Sequence, residues 1–217
     1  MIRAVGPRRA VELAILPLVL AACADSPAPV SSCLLVTLDT TRADVLAPYG
    51  APGELTPTLE LLAAQGITFE HAYTVAPITL PAHASMLTGL YPPRHGVREN
   101  GVFRLPQEAS TLAELASRSG RSTAAFVSAA VLDRAFGLAQ GFDVYDAPAR
   151  PLDQGGLAYA ERSGHETVQR ALRWVADRPT EEGFFLWVHM FDPHAPYAPP
   201  PPFAGARSAY LGEEAGT

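Results

Sequence analysis

Cysteine and positive charge are both scarce in this chain. Its 217 residues include two cysteines, and 22 acidic residues outnumber 16 basic ones, which gives a net charge of −6. Two cysteines do not make the disulfide framework of a small secreted scaffold. A modest negative charge without a basic stripe argues against a nucleic-acid partner. With 48% hydrophobic residues and no internal repeat or heptad array, the composition suits one globular domain with a sizeable core.

A long apolar run is also missing. The stretch from Leu13 to Ala22 follows three arginines, but it is too short for a membrane span and ends in small residues. These features predict a secretory signal over residues 1–23. Leu20-Ala21-Ala22-Cys23 resembles the bacterial lipobox, in which the leader is cleaved before the cysteine and the cysteine is lipidated. The alternative is a plain signal peptide with an incidental cysteine.

The lipobox defines the predicted domain organisation. Residues 24–32, rich in Ser, Pro and Ala, would form a flexible tether, and residues 33–217 would form the folded domain. Lipidation of Cys23 would leave Cys33 without a disulfide partner. We therefore expect an exported protein of the bacterial cell envelope, held at a membrane through a lipid anchor.

Helix and strand patterns alternate along the folded region. Such alternation predicts an α/β fold with a mostly parallel sheet and helices on both faces. The predicted elements are a helix capped by Thr56, begun by Pro57 and ended by Gly66; a capping-box helix from Thr111 to Gly120; a strand over Thr123 to Val127; a loop over Asp143 to Gly156; and an amphipathic helix over Gly164 to Asp177 with Val168, Leu172 and Val175 on one side.

A hydroxyl stands at the predicted start of another short helix. Thr79 stands just before the predicted helix, Pro81 suits its first position, and Gly89 suits the left-handed residue just past the end. Unpaired N–H groups and the partial positive charge of this helix start would stabilise an anion beside Thr79. The plain alternative is an ordinary Thr-x-Pro helix start.

Polar groups follow two apolar runs that read as buried strands. Cys33 to Leu38 leads into Asp39, and Phe184 to Val188 leads into His189 and the segment around His194. Open parallel sheets bind ligands at the carboxyl ends of their strands. The sequence therefore predicts a site at this edge, although an Asp after a strand is also a common helix cap.

Several ordered motifs resemble the amino-terminal half of the sulfatase family, in the alkaline-phosphatase superfamily. They are Leu-Val-Thr-Leu-Asp-Thr-Thr-Arg-Ala-Asp ending at Asp44, Thr-Pro-Thr-Leu at 56–59, Leu-Thr-Gly-Leu-Tyr-Pro-Pro-Arg-His-Gly at 87–96, and Phe-Asp-Pro-His-Ala-Pro at 191–196. The resemblance implies an alkaline-phosphatase-like fold. The family's later segment, commonly Ser-Asp-His-Gly with further metal ligands, has no counterpart after Pro199, so we expect an incomplete domain that is inactive by itself.

The resemblance assigns the nucleophile to Thr79. Sulfatases carry a Cys or Ser there, which is oxidised to formylglycine, and an Arg at the place of His83. Threonine cannot give that aldehyde, but other branches of the superfamily use an unmodified threonine. His83, also predicted to be catalytic, can still donate a hydrogen bond to hold the nucleophile.

The predicted metal ligands are Asp39, Thr40 and Thr79. A divalent cation would make the alkoxide of Thr79 accessible at neutral pH. Oxygen ligands favour Ca²⁺, with Mg²⁺ possible, and added histidines would point to Zn²⁺. Thr40 replaces a second Asp that the family often has there.

Three further residues are predicted around the substrate. His194 matches the family's substrate-binding histidine and could also protonate the leaving group. His189 is assigned to substrate or metal contact, with simple packing as its alternative, and Arg94 to orienting the site, with a capped turn as its alternative.

The resulting prediction is a metal-dependent hydrolase of small-molecule or glycan sulfate or phosphate esters. The alternatives are a phospho-group transferase of the same superfamily, since an alcohol can intercept a threonine intermediate, and a non-catalytic sulfatase-like envelope lipoprotein.

Overall fold

The computed structural model describes residues 31–148, 160–179 and 181–195. The predicted leader, the lipidation site Cys23, most of the tether and the proline run at 199–202 lie outside these residues. The elements in chain order are β1 (Cys33–Leu38), α1 (Pro57–Gln65), α2 (Thr79–Thr88), α3 (Pro92–His95), α4 (Leu112–Arg118), β2 (Ser122–Val127), β3 (Val144–Asp146), α5 (Gly164–Ala176) and β4 (Phe184–Met190). Short 3₁₀ turns lie at Ala43–Val45, Ala47–Tyr49, Gly53–Leu55, Ala130–Leu132 and Arg134–Phe136.

The described strands form one parallel sheet in the order β1-β4-β2-β3. Their alternating side chains divide the core into two layers. Phe185 and Trp187 of β4 face the larger cluster, which includes residues of α2 and α4, whereas Leu186 and Val188 face the smaller cluster beneath α5. Helices therefore cover both faces, and the predicted α/β architecture is confirmed.

Local capping fixes several helix boundaries. Thr111 and Glu114 form the predicted capping box at the start of α4, with distances of 3.1 Å and 2.8 Å. Helix α1 begins at Pro57 as predicted, but Thr56 does not cap it, because its hydroxyl accepts from the Ala47 N–H at 2.8 Å instead.

Three further predictions differ from the structure. In α5, Val168 and Val175 pack on the core, but Leu172 is exposed and the inward position belongs to Ala171. The predicted loop from residue 143 begins with the short strand β3, whose three residues are too few to show a pattern. Helix α2 begins at Thr79 itself, so Pro81 lies third rather than first; its missing N–H still falls within the first turn, where no intrahelical partner is needed.

Candidate active site

Asp39 and Thr79 converge at the carboxyl end of β1. The Thr79 hydroxyl donates to Asp39 Oδ2 at 3.1 Å, and Asp39 Oδ1 lies 3.5 Å away. Asp39 is buried, and its own N–H donates to the carbonyl of Met190 at the end of β4 at 3.0 Å. Two strand ends and one helix start therefore place the carboxylate against the hydroxyl.

A second contact between β1 and α2 lies one step deeper. Thr37 precedes Asp39 by two residues, and His83 follows Thr79 by four, so each pair projects from one side of its element. His83 Nε2 lies 3.1 Å from Thr37 Oγ1, and His83 Nδ1 lies 2.7 Å from the Thr79 carbonyl oxygen. Trp187 of β4 donates its indole N–H to Thr37 Oγ1 at 3.1 Å.

The electrostatics of the site favour an ionised Asp39 and a neutral His83. Burial raises the pKa of Asp39, but His189, His83 and the Thr79 hydroxyl more than offset that effect, so the pKa lies below its ordinary value. Burial and the neighbouring His189 lower the pKa of His83 to about 4, against smaller opposing effects of the Thr79 carbonyl and Asp39.

His189 lies beneath Asp39 and has no hydrogen-bond partner among the described residues. Its register partner in β1 is Thr37, and its side chain is fully buried. Both ring nitrogens are unpaired, and Nε2 lies 3.7 Å from Asp39 Oδ2. A buried polar atom without a partner is costly, by about 1–3 kcal/mol. The contact predicted for His189 stays a prediction, and its ring is fully buried and is not among the residues that line the cavity described below.

A cavity of about 370 Å³ opens above this pair. Its described lining combines threonines with small and apolar side chains: Thr37, Leu38, Asp39, Thr40, Thr41, Thr74, Ala76, Pro77, Ile78, Thr79, Ala82, His83 and Met86. The lining brings together the predicted nucleophile, the metal ligands and His83. Its volume suits a small ester or one sugar ring.

The start of α2 offers fewer free donors than expected. Leu80 N–H donates to the side chain of Asn100 at 2.9 Å, and Ala82 N–H donates to the Ile78 carbonyl at 3.0 Å. Pro81 has no N–H at all. The expectation of several unpaired amides beside Thr79 is therefore wrong for Leu80 and Ala82. Stabilisation of an anion at this helix start stays a prediction, and it would rest mainly on the partial positive charge of the helix.

The loop after β4 carries His194 and is held from two sides. Asp192 accepts the Gly164 N–H at 2.6 Å, and the Pro193 carbonyl accepts the Thr40 hydroxyl at 3.2 Å. The His194 ring stacks on Phe191 with centroids 4.4 Å apart and is not among the lining residues above. Thr40 has a left-handed backbone with φ of 49°, and its predicted metal ligation stays a prediction, as does the role of His194.

Arg94 lies outside the cavity lining, exposed on α3. That short helix has Pro92 at its start and Gly96 with φ of 81° at its end, which is the capped turn foreseen as the alternative. Its neighbour His95 is buried, with Nε2 2.9 Å from Ser85 Oγ and Nδ1 accepting from the Val97 N–H at 3.1 Å. His95 thus ties α3 to α2.

The donor atoms present suit part of a cation site. No group of three His, Cys, Asp or Glu side chains is arranged for a metal within the described ranges. The Asp39 carboxylate and the Thr79 hydroxyl are hard oxygen donors 3.1 Å apart, a spacing between the values of about 2.9 Å and about 3.4 Å that octahedral geometry gives for adjacent ligands of Mg²⁺ and Ca²⁺. The unpaired imidazole of His189 adds a nitrogen behind them.

Comparison with known proteins decides the family. A model of the Sulfatase family matches residues 31–214. The chain belongs to the Sulfatase family. It is 28% identical to human N-acetylgalactosamine-6-sulfatase over 83% of this chain and 42% of that enzyme, so it spans less than half the length of this relative.

Solved structures show the same fold for this Sulfatase-family chain. A protein in complex with its substrate D-glucosamine-2-N,6-O-disulfate superposes with a TM-score of 0.66 at 20% identity, covering 78% of this chain and 36% of that one. A phosphonate monoester hydrolase of Agrobacterium radiobacter gives 0.63 at 21% identity, covering 80% and 43%. The parallel sheet with helices on both faces is thus an architecture that this chain shares with both of these proteins.

Sequence reasoning missed Thr37 and Trp187. Both stand inside apolar runs, where they read as strand residues with no further role. The available signal was spacing: Thr37 lies two residues before the predicted ligand Asp39, so it shares a face with it.

Proposed function

We propose that this protein hydrolyses sulfate or phosphate esters, with Thr79 as the nucleophile. Thr79 Oγ1 attacks the sulfur or phosphorus, a new bond forms between them, and the bond to the leaving alcohol breaks. Water then hydrolyses the threonine ester and regenerates the hydroxyl. The contact of 3.1 Å between Thr79 Oγ1 and Asp39 Oδ2 in an open cavity carries the proposal.

Each residue of the site has a proposed part. Asp39 orients the Thr79 hydroxyl and receives its proton, because the carboxylate is ionised and lies within hydrogen-bond distance. His194 donates a proton to the leaving alcohol. A divalent cation bound by Asp39 and Thr79, for which Ca²⁺ is favoured, would supply the positive charge that lowers the pKa of the hydroxyl.

The proposed substrate is a sulfate ester of a sugar. Two of the similar proteins carry a sulfated amino sugar in their names, as the N-acetylgalactosamine-6-sulfatase and as the protein in complex with glucosamine disulfate, and the cavity has the volume for a ring. Parallel assays with sulfated sugars, an aryl sulfate, a phosphate monoester and a phosphodiester would choose the ester class. Turnover of a phosphodiester alone would contradict the sulfate assignment.

Replacing Thr79 tests the nucleophile. In the full-length protein, Thr79→Ala should lower kcat by about 10³-fold or more, because no other oxygen occupies that position. Thr79→Ser is the matched control, since it keeps the oxygen and should stay within about tenfold of the native rate. Mass spectrometry of quenched reactions should find the sulfo or phospho group on the peptide that carries residue 79. Full turnover by Thr79→Ala would remove Thr79 from the mechanism.

Export and lipid anchoring at Cys23 are proposed from the sequence Leu20-Ala21-Ala22-Cys23. The helices that the structure describes are all too short or too polar to cross a membrane. Expression in a bacterial host followed by mass spectrometry should find a lipidated Cys23 at the mature amino terminus. A Cys23→Ser variant should be released from the membrane fraction, and retention of that variant would contradict the anchor.

A further inference from the structure

We propose that Thr37 is a positioning residue that connects Trp187 to His83 and so fixes the main chain and hydroxyl of Thr79 above Asp39. The inference rests on the proposed nucleophile and adds two residues that lie outside the reacting atoms. These four residues form the hydrogen-bonded chain Trp187–Thr37–His83–Thr79, which we call the relay.

The chemistry of each partner fixes the direction of every hydrogen bond in the relay. An indole N–H can only donate, so Thr37 Oγ1 accepts from Trp187. A carbonyl can only accept, so His83 Nδ1 carries a proton and donates it to the Thr79 carbonyl. His83 Nε2 then bears the lone pair, which accepts the Thr37 hydroxyl proton.

This arrangement selects one form of His83. The ring is neutral and protonated on Nδ1, and both of its nitrogens are occupied. His83 therefore has no free nitrogen for substrate, and its contribution is to hold the main chain of Thr79.

Burial holds the two rings of the relay in place. Trp187 is fully buried and His83 nearly so, at 0% and 5% exposure, whereas Thr37 is half-buried and lines the cavity. Water cannot easily replace a partner lost by either ring, so the hydrogen bonds of the indole N–H and the imidazole are costly to break. The two strand residues are therefore fixed points against which the first turn of α2 is set.

The relay and the reacting pair share the same two elements. Thr37 lies on β1, and Asp39 follows two residues later, directly after the strand; on α2, Thr79 and His83 lie four residues apart. One contact joins Thr37 to His83 and the other joins Asp39 to Thr79. A shift of α2 that lengthens the first contact also moves the hydroxyl over the carboxylate, and a misplacement of about 1 Å at a reacting group can cost about 10²-fold in rate.

Thr37→Val and Thr37→Ser form the test pair in the full-length protein. Valine keeps the shape but lacks the hydroxyl, so kcat should fall between about tenfold and 100-fold while KM stays nearly constant. Serine restores the hydroxyl and should rescue kcat. Thr123→Val is the stability control, because Thr123 is a fully buried threonine of β2 that donates to Gly141 at 2.8 Å, far from the lining.

Nuclear magnetic resonance supplies readouts that do not need turnover. Imidazole ¹⁵N shifts should show the Nδ1–H form of His83 in the native protein, and the indole N–H of Trp187 should exchange slowly with solvent. Thr37→Val should speed that exchange and shift the His83 nitrogens, whereas Thr37→Ser should not. If Thr37→Val does not fold, two measurements still test the inference. They are the tautomer of His83 in the native protein and the kcat of Thr37→Ser, which should be close to the native value.

Two results would overturn the inference. One is a native His83 protonated on Nε2 alone. The other is Thr37→Val with native kcat and KM. Neither depends on the nucleophile: active Thr79→Ala would reject the proposed function while the His83 signals stood, and inactive Thr79→Ala beside fully active Thr37→Val would reject only the relay.

Discussion

A single methyl group added at Gly164 should disturb the loop that carries His194. An added Cβ would lie 2.6 Å from Asp192 Oδ2 and 3.2 Å from Met190 Cγ, so the carboxylate must move. Asp192 has little freedom, since Phe191 before it is buried and the Pro193 carbonyl after it is held by Thr40.

We expect Gly164→Ala to destabilise the fold by about 1–3 kcal/mol through overpacking and to alter kcat or KM by displacing His194. Gly120→Ala is the control, because its φ of 79° is strained for alanine but its added methyl meets nothing within 4 Å. Urea unfolding and steady-state kinetics would separate the two. A Gly164→Ala protein with lowered stability and native kinetics would show that the loop position does not matter to catalysis.

At the scale of whole elements, Arg162 ties β2, β3 and α5 together. Its guanidinium pairs with Asp146 of β3 and donates to the Val127 carbonyl at 2.8 Å and to Thr167 Oγ1 at 3.1 Å. The Arg162 side chain is only 8% exposed, whereas Arg170, which contacts the same carboxylate, is 39% exposed. The two cations should therefore differ in their effect on stability.

Asp146→Ala should destabilise the fold by about 2–4 kcal/mol, because it leaves a buried guanidinium without its anion. Arg170→Met removes only the exposed partner and should cost about 1 kcal/mol or less. Chemical denaturation of both variants checks the order. Equal losses of stability in the two variants would mean that the buried guanidinium of Arg162 is stabilised without Asp146. A larger loss of stability for Arg170→Met would reject the proposal that Arg162 holds β2, β3 and α5 together.

Some of the strands and helices were predictable from the sequence, and others were not. Strands β1 and β4 were predictable as strands because unbroken apolar, β-branched or aromatic runs mark the strands of a parallel sheet. The prediction that both are buried is wrong for β1, which lies at the edge of the described sheet and leaves Leu34 and Val36 exposed. The capping box of Thr111 and Glu114 was predictable because it is local. Strand β3 was not predictable because it is too short to show an alternating pattern. The face of α5 that packs on the sheet was predicted wrongly at one position, where Ala171 rather than Leu172 is buried.

The candidate site likewise has one part that was predictable from the sequence and one part that was not. Strand ends and helix starts predicted that Asp39 and Thr79 would meet, since parallel strands deliver their carboxyl ends to one edge. The partners of His83 were not predictable, because a threonine and a tryptophan inside strand patterns carry no local mark of a hydrogen bond across elements. The unpaired state of His189 likewise arises only when β1 and β4 pair.

For the whole molecule, the site joins parts of the chain that are distant in sequence, so a bound cation should stabilise the entire fold. Asp39 follows β1 and is hydrogen-bonded to the end of β4, and Thr79 begins α2. A cation that binds the folded state alone adds RT ln(1 + [L]/Kd), about 2.7 kcal/mol at a concentration 100 times Kd. The Tm should therefore rise with Mn²⁺, Mg²⁺, Ca²⁺ or Zn²⁺ in proportion to affinity, and fall again with EDTA.

Asp39→Asn separates a specific site from general ion effects. The amide keeps the shape but loses the charge that attracts a cation, so the dependence of Tm on metal should disappear. Glu108→Gln, at an exposed carboxylate outside the cavity lining, should retain the native response. The size of the Tm increase with each of the four cations identifies the favoured ion. A larger increase with Ca²⁺ or Mg²⁺ indicates a site of oxygen donors alone. A larger increase with Zn²⁺ that His189→Phe abolishes indicates that the unpaired imidazole of His189 is also a ligand. An equal rise in Tm for the native protein and Asp39→Asn would remove Asp39 as a ligand.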